Sequence, residues 1–286
     1  MFSKIYLEIT SLCNLACDFC PPILRRGEFL SLERFSFILD RIQGFGTHLY
    51  FHLKGEPLLH PLLKDFLALA GVRGFKVTLT TNGTLVHKTS EVLLDSPGLK
   101  QLNISLHSHL KSNNLLSYWH SLEFFLDRHR EAPKFPVSLR LWSRIGGKLP
   151  AQTKDFWSLL AGRYPALGPW KDGANWDKGI KLGERVYLNQ EEEFTWPSLS
   201  LPQKNNRGFC HGLRNQIGIL VDGRVVPCCL DGEGIITLGN LLDQNLGEIL
   251  QSPRAQALYQ GFTQRSLVEP LCRTCGFRER FAQEGE

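Results

Sequence analysis

The chain has 286 residues, of which 42% are hydrophobic, so it is long enough to bury a core as one large domain or as one domain with an appendage. No apolar run approaches the roughly 18 residues that suggest a membrane span, and the first residues lead into a predicted strand rather than a signal peptide. We therefore expect a cytoplasmic protein without a membrane segment. The net charge of +5 is a modest excess that ordinary surface lysines and arginines account for, so it does not by itself indicate a nucleic-acid partner.

Predicted strands and helices alternate along residues 1–190. Apolar patterning predicts strands at residues 4–10, 48–53, 75–80, 99–106, 136–142 and 185–188. Helical periodicity predicts helices at residues 32–42, 58–70, around 92–94, 115–130 and 153–161. This alternation predicts an α/β fold with a parallel sheet and right-handed crossovers. Because six strand–helix units are too few to close an eightfold barrel, we expect an open, partial (β/α)6 TIM-like barrel.

The composition changes at residues 191–207, where acidic residues and prolines predict a connection that leaves the barrel. We expect its aromatic residues Phe194 and Trp196 to pack across the barrel mouth. The chain is therefore divided into a barrel at 1–190, this connection at 191–207, and a small C-terminal unit at 208–286.

The C-terminal unit is predicted to contain a β-hairpin and a helix. Asp222-Gly223 lies between two apolar runs and indicates a tight two-residue turn, which would place Ile217 opposite Cys228. A single helix is predicted at residues 246–259.

The eight cysteines fall into two groups that are far apart in the chain. Without a predicted secretion signal, their positions favour metal binding or redox chemistry over disulfides. An iron–sulfur cube takes four ligands, so the three thiols of Cys13, Cys17 and Cys20 would leave one iron open to a ligand outside the protein. A structural zinc would need a fourth local ligand, and the nearest histidine downstream, His48, lies on another predicted strand.

The CX3CX2C frame at the end of the first strand resembles the radical S-adenosylmethionine (SAM) superfamily, and the resemblance covers nearly the whole chain. It implies that Cys13, Cys17 and Cys20 hold a [4Fe–4S] cluster whose fourth iron is chelated by SAM. Gly55-Glu56-Pro57 is similar to the family's GGEP segment, with Lys54 in place of the first glycine. Together with the ends of the third and fourth strands, the resemblance implies SAM contacts from Phe19, Gly55, Glu56, Asn82, Ser105 and His107.

The later cysteines resemble the SPASM/twitch extension of this superfamily, which carries auxiliary clusters. The resemblance implies one auxiliary [4Fe–4S] cluster, in the shorter twitch form, held by Cys210, Cys228, Cys272 and Cys275. Cys229 is left over. It is a possible substitute ligand for Cys228, a reactive thiol, or an inert buried thiol, which is the ordinary interpretation.

The resemblance implies an enzyme that takes one electron from a donor such as flavodoxin or ferredoxin, cleaves SAM and abstracts a substrate hydrogen with a 5′-deoxyadenosyl radical. The outcome is left open between four alternatives. The first is a net oxidation or modification aided by the auxiliary cluster, as in the family's inosamine dehydrogenase and sulfatase-maturating enzymes. The second is peptide or protein modification by a SPASM maturase, for which a strand beginning at Lys4 leaves no room for a peptide-clasping domain. The third is RNA modification, to which Arg25-Arg26 and Arg278-X-Arg280 would contribute, and the fourth is a non-enzymatic metal-binding module.

The fifth predicted strand supplies the remaining candidates. Arg140 and Trp142 are predicted to line the site, where Arg140 would contact SAM, contact a substrate anion or form a structural ion pair. The residues indicate no general base.

Overall fold

The computed structural model describes residues 1–111, 114–144, 148, 150–171 and 179–281. In chain order, its strands are β1 (Lys4–Leu7), β2 (His48–Phe51), β3 (Lys76–Thr81), β4 (Leu99–Ser105), β5 (Val137–Arg144), β6 (Ile180–Gly183), β7 (Val186–Glu192), β8 (Gln216–Ile219), β9 (Arg224–Val226) and β10 (Gly239–Asn240). Its α-helices are α1 (Leu32–Ile42), α2 (Leu63–Val72), α3 (Ser90–Leu94), α4 (Leu115–Glu131), α5 (Ala151–Arg163), α6 (Leu246–Gln251), α7 (Pro253–Thr263) and α8 (Pro270–Thr274).

The strands form one open sheet with the order β10-β9-β8-β1-β2-β3-β4-β5-β7-β6. β1 to β5 and then β7 are neighbours in chain order and run parallel, as the alternation of strands and helices predicted. The six-stranded partial barrel is therefore confirmed, with β6 added antiparallel at the β7 edge. At the other edge, β8 pairs in parallel with β1, so the C-terminal unit continues the barrel sheet.

The hairpin turn differs from the prediction by one residue. Gly218 pairs with Val226 and Ile219 with Val225, and the Leu220 amide donates to the Arg224 carbonyl. Three residues therefore form the loop, and Gly223 adopts a φ of +87° that matches the left-handed position of a three-residue hairpin. The predicted two-residue turn, and with it the pairing of Ile217 with Cys228, was wrong.

The single helix predicted at residues 246–259 is two helices, α6 and α7. Pro253 lacks the amide hydrogen that a continuous helix would need, and it begins α7 at the first helical position with Ser252 as its N-cap. The predicted start of α2 was also early, because Pro57–Leu59 form a separate short 3-10 helix.

None of the helices in the described part of the chain combines the length and the apolar character that crossing a bilayer requires.

A buried ion pair joins the barrel to the C-terminal unit. Glu8 follows β1 and is fully buried, and its carboxylate accepts from Arg25 Nη2 at 2.8 Å and from the Val221 amide at 2.9 Å. Arg25 also donates to the Gly232 carbonyl at 2.9 Å. Burial raises the pKa of Glu8, and the hydrogen bond from Arg25 opposes that rise.

We expect Arg25→Met to lower the free energy of unfolding by about 3–5 kcal/mol, because it leaves the buried Glu8 carboxylate without its cation. The double variant Glu8→Gln/Arg25→Met should recover much of this loss, since neither buried charge then remains. Urea denaturation followed by circular dichroism measures both values, with Arg34→Met on the exposed face of α1 as the control. Equal losses in the single and double variants would show that the charge is not the cause.

Candidate functional site

One cavity of about 880 Å³ brings together every site residue predicted from the sequence. It lies against the ends of the barrel strands, where α/β barrels place their ligands. Phe194 and Trp196 of the connection also line it, as predicted. The predicted residues on its wall are Cys13, Cys17, Phe19, Cys20, Gly55, Glu56, Asn82, Ser105, His107, Arg140, Cys210, Cys228, Cys229, Cys272 and Cys275.

The first cysteine loop leaves β1 and carries three thiols to the cavity. The Cys20 amide donates to the Cys17 carbonyl at 3.0 Å, which folds the loop back on itself. Asn82 Nδ2 lies 3.9 Å from Cys13 Sγ, and burial raises the pKa of the Cys13 thiol. These contacts bring the end of β3 to the cysteine loop.

Gly55 sits where the end of β2 crosses this loop. Its φ is +74°, and a Cβ at this position would lie 2.2 Å from the Thr10 carbonyl oxygen. The next amide, that of Glu56, donates to the Leu12 carbonyl at 2.8 Å. A side chain at position 55 would therefore push the two segments apart, so glycine is required at this position.

The Glu56 carboxylate ties the end of β2 to the end of β3. It accepts from the Leu58 amide at 2.9 Å, from Thr81 Oγ1 at 2.7 Å and from the Asn82 amide at 2.7 Å. The side chain is 1% exposed, and burial raises the pKa of Glu56 to about 7 against the effect of these donors. Both oxygens thus position the backbone that surrounds the predicted SAM site.

The raised pKa makes stability depend on pH. Between the ordinary value of 4.5 and about 7, folded Glu56 keeps a proton that the unfolded chain releases, so stability falls as pH rises through this window. The contribution is at most about 3.5 kcal/mol, since one pKa unit corresponds to about 1.4 kcal/mol. The difference in melting temperature between the wild type and Glu56→Gln, measured from pH 4.5 to 8, should therefore change across this window. A constant difference would show that the Glu56 pKa is not raised.

Lys54, which replaces the family's first glycine, is a buried cation beside the cysteine loop. It is 6% exposed, and its Nζ lies 3.4 Å from Cys20 Sγ and 2.5 Å from the Pro21 carbonyl oxygen. Nζ also lies 5.0 Å from the centre of the Trp196 ring. The departure from the family pattern therefore adds a positive charge at one of the predicted cluster ligands.

Phe19 and His107 form an aromatic pair on the cavity wall. Their ring centres are 4.4 Å apart in an edge-to-face arrangement, and His107 is 8% exposed. Ser105, the last residue of β4, lies on the same wall. An aromatic pair beside hydroxyl groups suits a planar base joined to a sugar.

The second cysteine set lines the same cavity. Burial raises the pKa of the Cys228 thiol well above the usual value, and the charges of Cys229, Cys210, Cys272 and Cys275 contribute to this rise. The Cys229 thiol instead hydrogen bonds with Tyr6 of β1, and burial raises its pKa to about 11. This arrangement favours Cys228 as the fourth ligand and places Cys229 toward the barrel interior.

Both cysteine sets suit clusters better than single ions. In the described part of the chain, no group of three or more His, Cys, Asp or Glu side chains is arranged to hold one metal ion. A tetrahedral zinc brings its sulfur ligands to about 2.3 Å from one point. In a four-iron cube each thiolate binds a different iron, so its ligands stand farther apart. Thiols spread around a large cavity therefore fit two iron–sulfur clusters.

Several residues of the cavity were not predicted from the sequence. Tyr6, Tyr50 and His52 line the cavity, and the alternation of β1 and β2 could have identified them as facing inward.

Three of the arginines considered for RNA binding make intramolecular contacts. Arg25 pairs with Glu8, Arg278 donates to the Arg207 carbonyl and Arg280 pairs with Glu191. These three side chains are therefore not available for the hypothesised RNA contacts.

Comparisons with known proteins agree with this geometry. The radical SAM superfamily model matches residues 7–142, and the SPASM model, an iron–sulfur cluster-binding domain, matches residues 210–276. A GTP 3′,8-cyclase of Alkaliphilus oremlandii (strain OhILAs) is 27% identical over 256 residues, which is 78% of this chain and 79% of that protein.

Two solved structures share the fold. BtrN in complex with AdoMet and 2-DOIA has a TM-score of 0.61 at 16% identity, covering 96% of this chain and 93% of that one. Streptococcus suis SuiB bound to the precursor peptide SuiA has a TM-score of 0.53 at 18% identity, covering 97% of this chain and 70% of that one.

The non-enzymatic alternative is thereby excluded, and the cofactors are a [4Fe–4S] cluster with SAM and an auxiliary iron–sulfur cluster. The chain belongs to the radical SAM superfamily and is an enzyme with a C-terminal SPASM domain.

Proposed function

We propose that the enzyme oxidises a small molecule by two electrons. The observation that carries this proposal is the single cavity of about 880 Å³ whose wall contains both cysteine sets. A substrate in this space would lie between the SAM-binding cluster and the auxiliary cluster. Both clusters and SAM would occupy part of this volume, so the space left for the substrate suits a small molecule.

The residues take the roles that the sequence suggested. Cys13, Cys17 and Cys20 hold the cluster that binds SAM, and Cys210, Cys228, Cys272 and Cys275 hold a single auxiliary [4Fe–4S] cluster. SAM contacts come from Phe19, Gly55, Glu56, Asn82, Ser105 and His107. The barrel at 1–190 carries the first cluster, the connection at 191–207 borders the cavity, and the unit at 208–286 carries the second.

When bound, the reduced cluster and SAM supply a 5′-deoxyadenosyl radical that takes a hydrogen atom from the substrate. The auxiliary cluster, which Cys210, Cys228, Cys272 and Cys275 would hold, would accept a second electron from the substrate as a proton leaves, so the product would have lost two hydrogens in total. The starting electron comes from a cytoplasmic donor such as flavodoxin or ferredoxin. The chain's own residues bind and orient the substrate and keep water from the radical.

Two similarities support a small-molecule substrate. BtrN, whose structure holds AdoMet and 2-DOIA, matches this chain along nearly its whole length. The relative of Alkaliphilus oremlandii named GTP 3′,8-cyclase, which acts on a nucleotide, matches 78% of the chain.

The test uses the anaerobically reconstituted enzyme, SAM and a reductant with a small-molecule extract from a strain that lacks the gene. We expect one product lower in mass by two hydrogens and one 5′-deoxyadenosine for each product. Cys228→Ala serves as the matched control, since it should lose the product. A product of unchanged mass would indicate cyclisation or rearrangement, and a change found only in peptides or nucleosides would indicate the rival substrate classes.

A further inference from the structure

β5 turns two hydrogen-bond donors toward the cavity. Leu139 and Leu141 are fully buried in the core, so the alternating residues Arg140 and Trp142 face the barrel interior, where both line the cavity. Arg140 pairs in register with Ser105 of β4, which places it beside the predicted SAM site. Guanidinium and indole groups donate hydrogen bonds and accept none.

Neither donor is satisfied by the described part of the protein. Among the described residues Arg140 makes no ion pair, and its recorded side-chain contact is with the Trp142 ring, 5.2 Å from the guanidinium carbon to the ring centre. The Trp142 Nε1 atom is buried and has no hydrogen-bond partner among those residues. Buried donors are usually paired, so Trp142 Nε1 indicates a missing acceptor beside Arg140.

The tyrosines and the histidine around Arg140 do not supply a negative charge. Tyr6, Tyr50, His52 and Cys229 are its electrostatic neighbours. Burial raises the pKa of both tyrosines, so their hydroxyl groups are neutral near pH 7. The His52 pKa is lowered to about 4 by burial and by the charges of Arg140 and Lys54, so His52 is neutral too.

The cavity carboxylates are engaged elsewhere. Glu56 accepts three hydrogen bonds. Asp231 accepts from the amides of Ile235 and Ile236. Glu193 is exposed at the cavity edge. The Arg140 guanidinium faces the cavity without a protein counter-charge, so a ligand that brings a negative charge would be stabilised there.

We propose that Arg140 binds an oxyanion of the substrate, a carboxylate or a phosphate, with Trp142 Nε1 as a second donor. This inference rests on the proposed function only in that the substrate enters this cavity. The planar guanidinium can engage two oxygens of either group at once, whereas the indole adds one hydrogen bond. Anchoring one end of the substrate would fix which of its carbons faces the SAM site.

The test measures binding of simple anions to the reconstituted enzyme with SAM bound, by anaerobic calorimetry. The probes are inorganic phosphate and pyrophosphate in one arm and acetate and citrate in the other, at constant ionic strength set with chloride. We expect saturable binding in one arm, which identifies the class of oxyanion. Arg140→Met should weaken it at least tenfold, equivalent to about 1.4 kcal/mol.

Three further variants separate charge from geometry. Arg140→Lys should bind with intermediate affinity, because an ammonium keeps the charge and loses the paired donors. Trp142→Phe should cause a smaller loss than Arg140→Met, since it removes one donor and keeps the ring. Arg34→Met, on an exposed surface, should bind as the wild type does. SAM affinity and the spectra of both clusters should be unchanged in the Arg140 variants.

Several results would overturn the inference. One is the absence of saturable binding of either anion class to the wild type, and another is undiminished binding to Arg140→Met. A parallel loss of SAM affinity would assign Arg140 to SAM, and an altered auxiliary-cluster spectrum with normal anion binding would make it a counter-ion of that cluster. The proposed oxidation is judged separately by product mass, so failure of either proposal leaves the other testable.

Discussion

Replacing Cys13, Cys17 or Cys20 with alanine is expected to abolish SAM cleavage. Each variant removes one of three thiols that one short loop presents to the cavity. A cluster bound by only two protein thiolates is not held in place for the radical chemistry. Formation of 5′-deoxyadenosine should therefore fall to the level of protein-free controls.

The measurement is 5′-deoxyadenosine formed by the anaerobically reconstituted variants with reductant, together with iron and sulfide content. Iron should fall from about eight to about four atoms per chain, because the auxiliary cluster remains. Cys229→Ala is the matched control, since it also removes a cavity thiol but should keep both iron and SAM cleavage. Undiminished deoxyadenosine in any of the three variants would contradict the assignment.

Cys228 and Cys229 are expected to differ sharply, although they are adjacent in the chain. The charges of Cys210, Cys272 and Cys275 all contribute to the pKa of the Cys228 thiol, whereas the Cys229 thiol hydrogen bonds with Tyr6. Cys228→Ala should therefore lose the auxiliary cluster, about half of the iron and the substrate product. It should still cleave SAM, because the first cluster is intact.

Iron analysis, low-temperature electron paramagnetic resonance and deoxyadenosine assays on both variants check this difference. Cys229→Ala should match the wild type in all three. Full iron in Cys228→Ala together with half the iron in Cys229→Ala would exchange the two roles. Loss of SAM cleavage in Cys228→Ala would show that the two clusters do not assemble independently.

The candidate site was largely predictable because its chemistry is encoded at short range. The spacing of Cys13, Cys17 and Cys20, and the polar residues that follow successive strands, are local patterns. Parallel strands then bring such residues to the same end of a sheet. The cavity accordingly contains all of the predicted residues. The role of Arg140 was left open, since charge and burial around it depend on four other segments.

Errors in the predicted elements have specific physical causes. The break between α6 and α7 follows from the missing amide hydrogen of Pro253, which helical periodicity alone does not register. The hairpin loop is one residue longer than predicted because Gly223 takes the left-handed position of a three-residue loop. Both Pro253 and Gly223 are visible in the sequence, but helical periodicity and the pattern of a two-residue turn favoured other elements at these positions.

By itself, the sequence determined the order of the parallel barrel strands and the helices between them, the open barrel and the two cysteine sets, because periodicity and ligand spacing act over short stretches of chain. Only the tertiary structure decided the pairing of β8 with β1, the buried ion pair of Arg25 with Glu8, and the separate settings of Cys228 and Cys229. The Val221 amide that completes the Glu8 network is 213 residues away along the chain. Contacts at such separations leave no local pattern, since they arise from the packing of whole elements and from the burial that then changes charge and pKa.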